Sequence, residues 1–214
     1  MSVTPRSLND VEHKRIAETI RTAEEKTSGE IYCVVAHSSD SYMFPAGFIV
    51  TLAILLISFV LANILEAWWF QVHLSVFVAA QVLAVACALL VLSLLPTTRI
   101  YFVPKRVRYR RAHENALKQF LARNVHITAE RTGVLIFVSL AEHYAEVVAD
   151  SGINAKVQQK DWDDVIRDLT KSAGRNALAD GFVAAIASVG KHLAAHFPPR
   201  PQNPNELDDH VVEI

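Results

Sequence analysis

The chain has 214 residues, of which 51% are hydrophobic, and most of that excess lies between residues 45 and 96. The formal net charge of −1 excludes the domain-wide basic excess that is typical of nucleic-acid-binding proteins. The two cysteines, Cys33 and Cys87, lie in apolar segments without metal-ligand spacing, so we expect small buried side chains rather than a disulfide or a metal site.

The first polar part of the chain predicts a helix followed by a strand. Residues 8–28 have the spacing of an amphipathic helix, which Asn9 or Asp10 would cap. The segment IYCVVA at 31–36 is too short to cross a membrane and too apolar for an exposed edge, so we expect a buried strand there. The apolar stripe of the helix is incomplete and consists of Leu8, Val11, Ile16 and Ile20.

Residues 45–96 predict a transmembrane helical hairpin. Two stretches, 47–65 and 74–95, hold no charged residue, and each has about the 20 residues that a helix needs to cross the hydrocarbon core. The absence of ionisable residues within them disfavours an ion or proton path. The connection at 66–73, EAWWFQVH, carries an interfacial aromatic cluster of Trp68, Trp69 and Phe70.

Lysine and arginine residues predict the orientation of this hairpin. Both polar parts of the chain carry them, whereas the connection at 66–73 has none. We therefore expect the N- and C-terminal parts to be cytoplasmic and the connection to lie across the membrane. The basic run after the second stretch also suits contact with anionic lipid in preference to nucleic acid, and it consists of Arg99, Lys105, Arg106, Arg108, Arg110 and Arg111.

The second polar part begins with a predicted helix and a pair of strands. Residues 110–123 have helical spacing, the run GVLIFVSL at 133–140 has the length of a fully buried strand, and residues 143–150 alternate as a half-exposed strand does. The three residues at 141–143 fit a hairpin turn. We expect the strand at 133–140 to have residues 29–36 as its other neighbour, across the apolar hairpin.

Two helices and a tail complete the predicted elements. Asp161 and Asp180 are placed as the N-caps of the two helices, and Gly174 ends the first of them. Apolar side chains recur in both helices at spacings of three and four residues. From Arg200 the chain is polar and contains prolines, so we predict a disordered tail over 200–214.

The segments TGVLIFVSLAEHYAEVVADSGINAKV and WDDVIRDLTKSAGRNALADGFVAAIASVGKHLAAHFP carry a resemblance to the TPM domain family, which includes photosystem-II repair proteins of the thylakoid lumen and bacterial membrane-tethered proteins. The resemblance covers about 130–198 and, more weakly, 8–40. It implies an α/β fold, a TPM-like sheet-and-helix sandwich formed by residues 8–40 and 110–198 and split in sequence by the two-helix transmembrane hairpin. That insertion departs from the commoner arrangement, in which the domain precedes the spans. It also implies a bacterial inner-membrane protein.

The same resemblance raises two possible activities, because some members of the family are associated with acid phosphatase activity and with calcium binding. The sequence has no Gly-rich anion loop, no Cys-x5-Arg and no Asp-x-Asp. Asp150, Asp161 and Asp180 are the candidate ligands for calcium, which takes oxygen ligands. The alternative is structural: Asp161 and Asp180 cap helices, and a solvated helix face accounts for Asp163, Asp164 and Asp168.

Two further pairs have a chemical and a structural interpretation. Glu142 and His143 are adjacent in the predicted turn, and a carboxylate beside an imidazole suits acid–base chemistry, although neighbouring turn residues usually point apart. His192 and His196 are four residues apart on one helix, which is a zinc-ligand spacing, although two ligands without a third are typical of an ordinary surface.

The sequence therefore leaves two hypotheses for function. The first is a membrane-anchored TPM-like domain that acts as an interaction or assembly module at the inner membrane, with the lipid bilayer and a membrane or cytosolic protein as partners and no nucleic acid. The second is a membrane-tethered phosphatase that uses a divalent metal. We expect no organic cofactor, and calcium is the ion that the candidate carboxylates would hold.

Overall fold

The computed structural model describes residues 8–68, 73–128, 131–200 and 206–214. The chain divides into two compact units. We call Met1–Ser39 together with Tyr109–Ile214 the α/β unit, and Asp40–Arg108 the apolar helical unit. Trp69 and Phe70 of the predicted aromatic cluster lie outside the described residues, and Trp68 is exposed.

The described residues form eight α-helices, four strands and two short 3₁₀ turns. The elements in chain order are α1 Asp10–Glu24, β1 Glu30–Ala36, α2 Met43–Ala67, α3 Leu74–Leu94, the turn Pro96–Thr98, α4 Arg99–Phe102, α5 Lys105–Ala122, the turn Val125–Ile127, β2 Gly133–Ser139, β3 Tyr144–Ala149, α6 Ser151–Asn154, α7 Gln159–Ala173, α8 Leu178–His196 and β4 Val211–Glu213.

The four strands form one mixed sheet in the order β3-β2-β1-β4. β1 runs parallel to β2, with Glu30 opposite Gly133 and Ala36 opposite Ser139, and β2 pairs with β3 in an antiparallel hairpin. The prediction that the strand near 29–36 is the neighbour of the strand at 133–140 is therefore confirmed. The two strands are about 100 residues apart in the chain, yet they pair along all seven residues of each.

Helices of the α/β unit cover the two faces of the sheet. Side chains alternate along a strand, so Ile31, Cys33 and Val35 of β1 lie in the core beneath α1, α7 and α8. The residues between them, such as Tyr32 and Val34, lie in a second core with Ala116 and Phe120 of α5. Cys33 is buried as predicted, but Cys87 is exposed on α3, so the prediction of a buried side chain is wrong there.

Helix α1 begins where the sequence predicts. Of the two caps that the sequence offers, Asn9 is the observed one, and it forms a capping box with Glu12. Ile16 and Ile20 are fully buried, whereas Val11 of the predicted stripe is 74% exposed. The helix packs closely against α8: a Cβ built at Gly190 would stand 2.9 Å from the Cβ of Ala23.

The predicted caps Asp161 and Asp180 each lie three residues after the observed N-caps. Helix α7 has Gln158 as its N-cap, and α8 has Ala177, so both aspartates lie in the first turn instead. There a carboxylate still interacts favourably with the positive end of the helix dipole. Gly174 does follow the last residue of α7, as predicted.

The prediction of a disordered tail over 200–214 is wrong for its last residues. Val211–Glu213 forms β4, which pairs in parallel with Cys33–Val35 of β1. Val211 is 3% exposed and belongs to the main core of the unit. The segment is charged and polar overall, but it contains the apolar pair Val211 and Val212, which pairs with β1 at the edge of the sheet.

The apolar helical unit consists mainly of α2 and α3, at the two stretches that the sequence predicts as apolar helices. Three helices in the described part of the chain are long and apolar enough to cross a membrane: α2, α3 and α8. The most apolar windows of α2 and α3 are 0% buried, whereas that of α8 is 44% buried. Gln81 of α3 donates a hydrogen bond to the Ser58 hydroxyl of α2 across 3.0 Å.

Candidate functional site

Asp150, the first predicted ligand, lies at the end of β3 and is the N-cap of α6. Its Oδ1 accepts hydrogen bonds from the Ser151 backbone N–H and the Ser151 hydroxyl, at 2.5 and 3.0 Å. The residue is 9% exposed, and its Oδ2 is buried without a hydrogen-bond partner in the described structure. The carboxylate therefore has a structural role and one oxygen whose bonding capacity is unused.

The other two predicted ligands have separate surroundings. Asp180 is exposed and pairs with Arg15 of α1 at 2.5 Å, and Asp161 lies in the first turn of α7. Within the described ranges, no three side chains of His, Cys, Asp or Glu form a group that could hold a metal ion. The calcium set Asp150, Asp161 and Asp180 stays a prediction. The solvated face of α7 is observed, since Arg167 pairs there with Asp164 and Asp168.

Glu142 forms a buried polar cluster at the carboxyl ends of β1 and β2. The residue is 1% exposed, and its Oε1 accepts hydrogen bonds from the Ser39 backbone N–H at 3.0 Å and the Ser38 hydroxyl at 3.3 Å. Its Oε2 accepts from the Ser139 hydroxyl, which lies 2.8 Å from that of Ser39. These bonds tie the turn after β2 to the segment that follows β1.

Glu142 and His143 point apart, as neighbouring turn residues usually do. Glu142 is buried and His143 is exposed, with a positive φ of 51°. The sequence carried a partial signal for the cluster, because serines follow β1 and end β2. Because the carboxyl ends of parallel strands lie at the same edge of a sheet, a parallel pairing of β1 with β2 predicts that those serines lie close to the glutamate of the turn.

A second polar group joins α5 to β3. His113 Nδ1 lies 2.9 Å from both oxygens of Glu146, and the Tyr144 hydroxyl donates to Glu146 Oε2 at 2.9 Å. Burial and the neighbouring Glu146 carboxylate raise the pKa of Tyr144 above its usual range, so the phenol stays protonated. A carboxylate that orients an imidazole is an arrangement that general bases use. Helical periodicity gave no indication of His113.

A third group gathers acidic side chains where β4 begins. Glu24 accepts a hydrogen bond from the Ile31 backbone N–H at 2.7 Å, and Arg21 Nε lies 2.9 Å from Asp209 Oδ2. Burial, opposed by that hydrogen bond and assisted by Glu30 and Asp209, raises the pKa of Glu24 to about 9. Burial likewise raises the pKa of Glu30 to about 7.

The two histidines of α8 lie in different surroundings. The ring of His192 is 6.1 Å from that of Trp162, edge to face, and His196 is exposed. Trp162 is 2% exposed and lies in the core. The contact gives His192 a packing role, and the zinc interpretation of this pair stays untested.

These features define a mixed α/β protein with long apolar helices. No family model matches the chain, and no curated protein matches it. A solved structure does match: the NMR structure of the BA42 protein from the psychrophilic bacterium Bizionia argentinensis, with a TM-score of 0.60 and 19% sequence identity over 100% of this chain and 99% of that chain. At this identity the likeness shows the fold alone.

Proposed function

We propose that this protein is a membrane-anchored, TPM-like α/β domain that acts as an interaction or assembly module at the bacterial inner membrane. The observation that carries the proposal is the exposure of α2 and α3. Their apolar windows have no burial in the described structure, and they lie in sequence between two strands that pair with each other. Such helices need an apolar solvent around them, which a bilayer provides.

Two spans are proposed rather than three because α8 has other partners for its apolar side chains. Phe182, Ile186 and Leu193 are fully buried in the core of the α/β unit. A helix that crossed the bilayer could not bury the same side chains against a sheet. An even number of spans also keeps the two halves of the α/β unit on one side of the membrane.

Reporter fusions test the proposed orientation. Alkaline phosphatase fused between Trp68 and Trp69 should be active, because the proposed connection lies on the periplasmic side. The same reporter fused after Phe197 should be inactive, and a cytoplasmic reporter such as a fluorescent protein should show the opposite pattern. Activity of alkaline phosphatase at the second position alone would overturn the orientation.

An apolar patch on α5 supports an interaction role for the anchored unit. Leu117 and Leu121 lie four residues apart on one helix face and are 39% and 57% exposed, and Ile127 beyond the helix is 64% exposed. The buried face of α5 consists of Ala112, Ala116 and Phe120, and Leu121 lies outside it. Exposed apolar side chains that are neighbours on a helix, as Leu117 and Leu121 are, are typical of protein contact surfaces.

Photo-crosslinking in native membranes tests this role. A photoreactive amino acid at Leu121 should give a discrete adduct with a membrane or cytosolic protein, and the same substitution at Asp168, on the solvated face of α7, should give none. Adducts of equal yield at both positions would contradict a specific contact, as would their absence at Leu117, Leu121 and Ile127 together.

The second candidate function is a membrane-tethered phosphatase that uses a divalent metal. The pairing of His113 with Glu146 favours it, because it gives the unit an oriented imidazole at a partly exposed position. A phosphomonoesterase assay on detergent-purified protein, with and without calcium or magnesium, tests this candidate. Turnover lost in Asp150→Asn, Asp180→Asn or His113→Gln would sink the non-enzymatic proposal, and no turnover with either metal would sink the phosphatase.

A further inference from the structure

The segment 206–214 completes the sheet by adding a strand to the edge of β1. Beyond the β4 pairing, the Ile214 N–H donates to the Val35 carbonyl at 2.9 Å and the His37 N–H donates to the Ile214 carbonyl at 2.8 Å. The segment therefore occupies an edge that would otherwise present unpaired backbone groups to any extended chain. We call it the edge segment.

A pair of carboxyl groups holds the start of the edge segment. The side chain of Asp209 is 9% exposed and forms a hydrogen bond with the side chain of Glu24 on α1. Two carboxylates have no donor between them, so this bond exists only when one of the two carries a proton. Docking of the segment at this point thus takes up a proton that the open segment does not need.

Glu30 places a third carboxyl group at the same anchor. It is 3% exposed and accepts hydrogen bonds from the backbone N–H groups of Glu206 and Leu207. Its Oε2 is buried and has no partner among the described residues. Burial raises the pKa of Glu30, whereas these two hydrogen bonds from the edge segment lower it. Glu30 therefore fixes the position of residues 206 and 207 and is not the group that couples docking to a proton.

The other charged groups around the anchor do not neutralise it fully. Arg21 pairs with Asp209 but is itself 68% exposed, and Glu206 adds a further negative charge beside Glu30. On β1 the buried thiol of Cys33 faces Glu24. At the far end of the segment, Glu213 faces two imidazoles, His13 at 3.1 Å and His37 at 3.5 Å.

We propose that the edge segment is a proton-dependent latch: it docks on β1 while Glu24 and Asp209 share a proton, and it loosens as the pH rises and this proton is lost, which uncovers the β1 edge. This inference does not depend on whether the anchored unit is an interaction module or a phosphatase.

The direction follows from proton linkage. Burial raises the pKa of Glu24 from the ordinary value of 4.5 to about 9, and the charge and side-chain hydrogen bond of Asp209 add to that rise. Because Asp209 belongs to the edge segment, Glu24 holds its proton more tightly in the docked state than in the open one. The docked state is therefore favoured at acid pH and loses stability relative to the open state as the pH rises towards 9.

Hydrogen exchange of the full chain in nanodiscs tests the latch. After correction for the intrinsic pH dependence of exchange, the protection of the amides of 206–214 should fall at least about fivefold between pH 7 and pH 9, since one linked proton changes an equilibrium up to tenfold per pH unit. In Glu24→Gln the side-chain amide supplies a permanent donor to Asp209, so the protection should no longer change over this range.

Glu25→Gln is the matched control, because Glu25 is adjacent and exposed and the variant should keep the wild-type profile. Amides of 134–138 in β2 report whether each variant is folded. If Glu24→Gln loses that protection, Asp209→Asn provides the donor from the other side and should show the same flat profile. A wild-type profile without pH dependence would overturn the proposal, as would a folded variant at Glu24 or Asp209 that keeps the wild-type dependence.

Discussion

Helices α8 and α2 are both candidate membrane spans, but their surroundings are opposite. Both are long and apolar enough to cross a bilayer, yet the apolar window of α8 is 44% buried within the described structure and that of α2 is 0% buried. Length and mean apolarity therefore do not separate a core helix from a proposed membrane helix in this chain. The distribution of the apolar side chains around the helix does separate them.

The difference lies in periodicity. In α8 the buried side chains recur at three- and four-residue spacings, as Phe182, Ile186, Val189 and Leu193 do, and Lys191 lies on the exposed side. In α2 the apolar side chains surround the helix, and Phe48, Ile57 and Val60 are all more than half exposed. A helix with one apolar face suits a sheet, and a helix that is apolar all round suits lipid.

The largest expected effect comes from truncating the same residue type in the two helices. Ile186→Ala on α8 removes a side chain that is 0% exposed, so we expect the unfolding free energy of the α/β unit to fall by about 2–5 kcal/mol. Ile57→Ala on α2 removes one that is 67% exposed and should change the same quantity by less than about 0.5 kcal/mol. Denaturant titration in detergent, followed by near-UV circular dichroism, measures both. Equal losses in the two variants would remove the distinction between the helices.

The next largest expected effect comes from a close contact between two backbone segments of the α/β unit. A Cβ added at Gly133, the first residue of β2, would stand 2.0 Å from the Val125 carbonyl oxygen, so Gly133→Ala should cost about 1–3 kcal/mol of stability through forced movement of the backbone. Gly174→Ala is the matched control: the nearest atom to its added Cβ is 3.4 Å away, and its φ of −64° suits alanine. A stable Gly133→Ala variant would show that the 3₁₀ turn before β2 can yield.

The buried polar cluster of the α/β unit has a smaller expected effect. In Glu142→Gln one oxygen is replaced by an amide nitrogen, which can no longer accept a hydrogen bond, so a serine hydroxyl of the cluster must turn and accept in its place. We expect a loss of about 1–2 kcal/mol. Melting temperatures of the variant and of Glu25→Gln, an exposed control, measure the difference. Unchanged stability in Glu142→Gln would indicate that the cluster rearranges without loss.

The smallest expected effect on stability comes from the hydrogen bond between α2 and α3 in the apolar helical unit. Gln81→Leu removes the hydrogen bond to the Ser58 hydroxyl, and such bonds between membrane helices contribute about 0.6 kcal/mol on average. A double-mutant cycle with Ser58→Ala, read by unfolding in mixed micelles, isolates the pair. A coupling energy as large as the loss in Glu142→Gln would contradict the expected ranking of the two regions.

Parts of the fold could be predicted because local patterns determine them. The capping box of α1, the eight-residue apolar run containing β2, the half-exposed alternation of β3 and the end of α7 at Gly174 all depend on side chains close together in the chain. The pairing of β1 with β2 was also predictable, because two short buried strands need neighbours and the hairpin of β2 and β3 left one side open.

The candidate sites were less predictable for a physical reason. The sequence offers Asp150, Asp161 and Asp180 as candidates. An aspartate near the start of a helix has the same sequence context whether it caps the helix, forms an ion pair or binds a metal ion. The groups that the structure brings together, such as Glu142 with Ser39 or Glu24 with Asp209, join residues about 100 to 190 positions apart. No local pattern records such an approach.

The sequence by itself determined two charge-free apolar helices, an α/β composition on either side of them, and the strands and helices that carry strong periodicity. The tertiary structure decided that residues 211–213 complete the sheet and which carboxyl groups are buried together. The first set depends on hydrophobic spacing within one element, which any single segment displays. The second depends on which surfaces meet when the sheet forms, because burial and shared protons are properties of neighbours rather than of residues.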